Sequence, residues 1–212
     1  MPAKPSRILR ADALNNRLRI VEAAREVFAE LGLDVPMSEI ARRSGVGAAT
    51  LYRRFPTKES LVTEVFTDQL AECVTVVDDA VADPDPWRGF CAVIEKVCAL
   101  HAVDQGFTAA FLTAFPGALA FERERERAEE AFAGLIRRAQ DAGRLRADFV
   151  LEDLTLVLLA NGGVAAGAGG VGPIASRRLV GFLLQSFRAE GAARLPPPAP
   201  LGLDRMYCPA PD

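Results

Sequence analysis

The stretch SEIARRSGVGAATLYRRFPTKE, residues 38–59, reads as two short helices joined by a tight turn, the second of them rich in arginine. Ile40 and Ala41 fall where the first helix meets its partner, and Gly45 supplies the turn because glycine takes a positive φ without a Cβ clash. Val46, Leu51 and Phe55 anchor the buried sides. With Leu51 and Phe55 inward at i and i+4, Ala49, Thr50, Tyr52 and Arg53 are left outward. The spacing of Ala41, Gly45 and Leu51 fits a helix-turn-helix, the motif that sets its second helix in a DNA groove. A core hairpin with a solvated basic face has the same pattern.

Outward from this stretch, the run TLYRRFPTKESL from Thr50 to Leu61 closely resembles the end of the DNA-binding domain of TetR family transcriptional regulators, with Tyr52, Phe55 and Lys58 at signature positions. The resemblance reaches back through the amphipathic segment Asn16 to Leu31. It implies a homodimer with an N-terminal three-helix DNA-binding domain and a C-terminal domain that binds a small ligand and dimerises through its last two long helices. Carried over by position, Tyr52 and Lys58 match phosphate-holding residues, Thr50 matches a backbone or base contact, and Arg43 lies near the end of the first helix. Arg53 is the candidate base reader, since an arginine forms two hydrogen bonds to guanine. Two positions depart from the family pattern. Pro36 stands where a capping threonine is common, which leaves Ser38 as the nearest hydroxyl, and Gly47 stands where serine or threonine is common. With Gly47, Ala48 and Ala49 so small, methyl contact or DNA shape carries part of the expected readout.

Charge divides the chain. Of the formal net charge of −3, residues 1–60 carry eleven Lys or Arg against seven Asp or Glu, whereas residues 61–212 carry fourteen against twenty-one. A basic head on an acidic body suits a phosphate-facing reader. At 212 residues, 50% hydrophobic, with Ala, Leu, Glu and Arg dominant, the chain reads as an all-α protein of about nine helices. The expected organisation is a helix-turn-helix domain over 10–57, a ligand-binding and dimerisation domain over 58–191 with a connecting helix at 58–82, and a proline-rich, loosely ordered tail over 192–212. Lys4, Arg7 and Arg10 form a basic arm ahead of an apolar period running through Leu14, Leu18, Val21, Ala24, Phe28 and Leu31, which Gly32 stops. Thr57 is placed to cap the connecting helix, with Ser60 nearby. Further helices are expected at about 86–103, 105–115, 118–142, 150–167 and 174–190. The run FERERERAEE, residues 121–130, reads as a solvated helix face with i,i+4 pairs.

Several other readings are excluded or weak. The apolar, charge-free stretch Leu154–Ser176 carries six glycines, Asn161 and Pro173, which favours a buried helix over a membrane span. Gly167 to Gly172 matches G-x-G-x-x-G, but the βαβ unit that a dinucleotide requires has no room after it. A single histidine, no nucleophile elbow and no paired ligand motif argue against an enzyme, a cofactor or a metal. Cys91, Cys98 and His101 share a helical face, yet the Cys91–Cys98 rise of about 10.5 Å is too long for one ion. They read as core residues, with a redox-sensing thiol as the alternative. No secretory signal is seen in Met1–Ala11, so the expected location is the cytoplasm.

The expected partners are therefore double-stranded DNA, a second copy of the chain and a small effector. Candidate DNA contacts are Ser38, Arg43, Gly47, Ala49, Thr50, Tyr52, Arg53 and Lys58. The expected effector pocket is lined by Phe90, Ile94, Cys98, Phe107, Phe111 and Phe115, whose character points to a hydrophobic molecule. Leu154, Leu158, Leu179, Phe182, Leu183 and Phe187 form the expected dimer surface. Such a protein represses from a palindromic operator, and an inducer releases it by pushing the connecting helix. The competing reading is a helical small-molecule carrier or interaction module whose basic head is incidental.

Overall fold

A computed structural model describes residues 5–111 and 119–201, with the side chains of residues 5–13, 105, 109, 111 and 119–121 outside the described set. Its elements are α1 (Pro5–Leu31), α2 (Met37–Ser44), α3 (Ala48–Arg54), α4 (Lys58–Ala82), α5 (Pro86–Val103), α6 (Gln105–Phe111), α7 (Leu119–Asp141), α8 (Glu152–Gly167), a 3-10 turn (Gly169–Val171) and α9 (Gly172–Ser186). Among the described residues the only β pairing is an isolated bridge between Leu145 and Arg188. The fold is all-α.

The chain divides into two compact units, Met1–Thr67 and Asp68–Asp212. In the first, α1 buries Ile20, Ala23, Ala24, Val27 and Phe28, a helical stripe that packs beside the start of α4. Phe28 meets Phe66 with ring centroids 6.1 Å apart, and Arg25 donates to the Val65 carbonyl. These contacts draw the first turns of α4 into the first unit, so the division falls within α4. The α1 stripe is narrower than its leucines imply. Leu14 and Leu18 are about three-fifths exposed, at 60% and 59%, because they fall one face away from Ile20 and Val27. The helix also starts earlier than the basic-arm reading expects: Pro5 occupies the first helical position, where its missing N–H costs nothing, and carries α1 back over Arg7 and Arg10. At the junction of α3 and α4, Thr57 Oγ1 accepts from the Ser60 N–H at 3.1 Å and Ser60 Oγ accepts from the Thr57 N–H at 3.4 Å, a reciprocal cap.

In the second unit α5 is the central helix, flanked by α7, α8 and α9. Asp85 caps it by accepting from the N–H groups of Trp87 and Arg88, and Pro86 sits in its first turn. Phe90 is the middle of an aromatic cluster, with the rings of Trp87, Phe132, Phe149 and Phe187 at 5.6, 5.7, 5.2 and 6.2 Å. Asn161 of α8 donates to the Cys98 carbonyl of α5 at 2.9 Å and accepts from Ser176 of α9 at 2.7 Å, all buried. The glycine run that mimics a nucleotide loop is the α8–α9 connection. Gly172 is required there because a Cβ would stand 2.5 Å from the Ala165 carbonyl oxygen. From the α7–α8 connection, Arg146 binds Asp148, the Ser186 carbonyl and, beyond α9, the Ala193 carbonyl, while the Leu195 N–H donates to Asp148. The start of the proline-rich segment is thereby fastened to the unit.

The charged run of α7 is not uniformly solvated. Arg125 is buried and pairs with Glu122, with Glu129 at 3.7 Å, whereas Arg127 lies outside and pairs with Asp78. Cys73 and Cys98 are buried, and burial pushes both thiols up to about 12, as it pushes Cys91 to about 11. Thiols held protonated in this way are poor redox sensors. Cys208 lies outside the described residues. No group of three metal-ligating side chains occurs among the described residues, and no helix among them is long and apolar enough to cross a membrane.

Candidate nucleic-acid interface

The turn between α2 and α3 is fixed by its glycine. Gly45 takes φ 66°, its N–H bonds the Arg42 carbonyl at 3.3 Å and the Val46 N–H bonds the Ala41 carbonyl at 3.3 Å, the two-bond closure that ends a helix and reverses the chain. Arg19 of α1 reaches the same place and donates to the Ser44 carbonyl at 2.6 Å. From this turn α3 emerges with Leu51 0% exposed and Phe55 3% exposed. Arg17 lies 5.6 Å over the Phe55 ring while its guanidinium pairs with Glu64 at 2.7 Å. Those anchors set which side of α3 faces out. Ala49, Tyr52, Arg53 and Arg54 are exposed, with Tyr52 at 50%, and Thr50 is half-buried.

The structure thus brings Ala49, Thr50, Tyr52 and Arg53 onto one outward face, with Gly47 exposed just ahead of α3. Ser38 is exposed in the first turn of α2. Two of the sequence-derived contacts are already engaged. Arg43 donates to Glu39 at 3.1 Å and to Glu30 at 2.5 Å, and Lys58 donates to the Leu33 carbonyl at 3.0 Å. Conversely, Arg54 joins Arg53 in making no ion pair or side-chain hydrogen bond among the described residues. The duplication Arg53-Arg54 is the sequence signal for it, since an anchor at Phe55 leaves both predecessors outward.

In the second unit the expected pocket residues Phe90, Ile94, Cys98 and Phe107 are all fully buried. None lines a small apolar cavity among the described residues, of about 30 Å³, bounded by Leu70, Cys73, Val77, Val93, Val97, Arg125, Ala128, Glu129, Phe132 and Leu154. On α5, Val93 and Val97 face this cavity and Ile94 and Cys98 face the core. The Phe111 side chain and Phe115 lie outside the described residues. Of the expected dimer residues, Leu154, Leu158 and Phe187 are core residues of their own chain, the last of them in the aromatic cluster. Phe182 is 55% exposed with Arg178 over its ring at 4.7 Å, and Leu179 and Leu183 are half-buried. Leu156, Leu159, Val164 and Ile174 are outward apolar residues that the sequence reading did not single out.

Comparison with known proteins agrees with this architecture. Residues 20–65 match the family model of bacterial regulatory proteins of the tetR family, and residues 85–189 match that of the SbtR-like transcriptional regulator C-terminal domain. The HTH-type transcriptional regulator SAB2452 of Staphylococcus aureus is 40% identical over 68 residues, 32% of this chain and 37% of that protein, so the match spans about a third of the relative. A tetR-family regulatory protein from Rhodococcus RHA1 superposes with a TM-score of 0.61 at 21% identity, over 84% of this chain and 98% of that one. FadR of Bacillus subtilis, solved with stearoyl-CoA, superposes with a TM-score of 0.51 at 17% identity, over 79% of this chain and 97% of that one. The first unit and the helical second unit each match a model of such regulators, and the chain belongs to the TetR family of DNA-binding transcriptional regulators.

Proposed function

We propose that this regulator is a homodimeric repressor that occupies a palindromic operator and is released by a small hydrophobic effector. The observation that carries the reading is the outward face of α3, where Tyr52, Arg53 and Arg54 stand exposed over the buried Leu51 and Phe55. Seated in the major groove, Arg53 forks onto guanine O6 and N7. Tyr52, Thr50 and Ser38 hold phosphates and set the register, and Lys58 does so with the ammonium donors that Leu33 leaves unused. A two-fold axis repeats this head about 34 to 36 Å away, one turn of duplex. Leu156, Leu159, Ile174 and Phe182 supply an apolar row for the contact between copies.

Release works through the cavity beside α4. At about 30 Å³ it is smaller than the several hundred Å³ an ordinary ligand fills, so an effector enters only by parting α4 from α5 and α7. Because α4 is one continuous helix from Lys58 to Ala82, a displacement at Leu70, Cys73 and Val77 is carried toward the turns that pack on α1. A coupling of about 1 to 3 kcal/mol gives a graded response. That the same fold accompanies stearoyl-CoA in the FadR structure supports an apolar effector. Selection of genomic fragments by the purified protein tests the whole reading: a shared palindrome is expected, and fragments without a common sequence overturn it.

A further inference from the structure

Most cations of the reading head whose side chains are described are already engaged within it. Arg17 is paired with Glu64, Arg19 and Lys58 hold carbonyls at Ser44 and Leu33, Arg42 and Arg43 converge on Glu39, and only Arg53 and Arg54 make no such contact among the described residues. Of these arrangements the one at Glu39 differs in kind. Glu39 Oε1 accepts from Arg42 Nη2 at 2.6 Å and from Arg43 Nε at 3.1 Å, while Oε2 accepts from Arg42 Nε at 2.8 Å. One carboxylate therefore holds both arginines of the last turn of α2, the helix that crosses the phosphate backbone in this motif. Arg42 is bound along its Nε–Nη2 edge, and Arg43 is held a second time by Glu30 of α1.

From this arrangement, and resting on the DNA-reading assignment above, we infer that Glu39 is a positioning residue that withholds Arg42 and Arg43 from phosphate and so suppresses sequence-independent binding to duplex. A guanidinium already paired with a carboxylate has its charge offset and part of its donor set occupied, so a phosphate has to compete with the carboxylate for it. The exchange trades one charge-assisted fork for another, whereas an unengaged arginine gains its phosphate contact outright. An arbitrary duplex offers no compensating base contacts, so there the two arginines stay with Glu39. At the operator, the contacts of α3 fix the phosphates in place and the exchange is driven by the rest of the interface. Glu39 in this way sets the ratio of specific to non-specific affinity, the quantity that decides whether a reader finds its site.

The test uses the full-length protein and a short duplex of arbitrary sequence, with affinity followed against salt. Glu39→Gln keeps the shape of the side chain and removes its charge. It should raise non-specific affinity and steepen the slope of log K against log salt by about 0.9 to 1.8 per protomer, one to two added phosphate contacts. In an Arg42→Met, Arg43→Met background the same Glu39→Gln change should do neither. A gain that persists without the arginines reduces Glu39 to simple repulsion, and a loss of affinity means it presents the arginines to DNA; either result overturns the inference, as does an unchanged slope. Should Glu39→Gln fold poorly, Glu30→Gln releases one hold on Arg43 alone and should steepen the slope by a smaller amount, and no steepening there counts against the proposal. Failure of the unaltered protein to bind any duplex instead removes the DNA-reading assignment beneath it.

Discussion

His101 is fully buried on α5, with its Nδ1 2.9 Å from Thr108 Oγ1 and its ring 4.8 Å from Phe107. Burial holds its pKa down to about 3, so the imidazole stays neutral in the folded chain. The unfolded chain binds a proton below about pH 6.5 and the folded one does not until about 3, so this residue makes stability fall as pH drops through that window, by up to about 1.4 kcal/mol per pH unit. Urea unfolding at pH 7 and pH 5 should register the loss, and His101→Leu should remove that part of the difference. A second residue-scale expectation concerns the groove. Arg53→Ala should weaken operator binding by about 1 to 3 kcal/mol and relax the preference at one base pair, read by competition among operator variants. A uniform loss across all variants would make Arg53 a phosphate contact.

At the scale of elements, Asp85 carries the start of α5 through two hydrogen bonds, 3.0 Å from the Trp87 N–H and 3.2 Å from the Arg88 N–H. Asp85→Ala should cost about 1 kcal/mol by denaturant unfolding. Helix positions were legible in the sequence where covalent geometry speaks: Gly32 and Gly45 end α1 and α2, and Thr57 with Ser60 opens α4. The outward set on α3 was legible for the same reason, because two anchors four residues apart fix the rotation of so short a helix. Which face of the longer helices is buried was less legible. In α8, Leu154, Leu156, Val157, Leu158 and Leu159 surround the axis, and no period separates core from surface. The same holds for α5, where Val93 and Ile94 are neighbours with equal claims to either side of the helix. Pairings such as Arg43 with Glu30, 13 residues apart, depend on how α1 meets α2, and local spacing does not encode that.

For the molecule as a whole, the outward row on α8 and α9 bears on assembly. Phe182→Asp puts a charge in the middle of that row and should shift the sedimentation coefficient from dimer to monomer, while leaving the monomer's helical signal intact. An unaltered coefficient would move the contact between copies elsewhere. The same row has its origin in the buried bonds of Asn161. A helix greasy on every side can rest against its neighbours at several angles of near-equal energy. The amide breaks that degeneracy, since it finds the Cys98 carbonyl and the Ser176 hydroxyl together at one angle only. The outer geography of the unit is thus dictated from its interior: a polar side chain that water never reaches decides which leucines are turned to the outside.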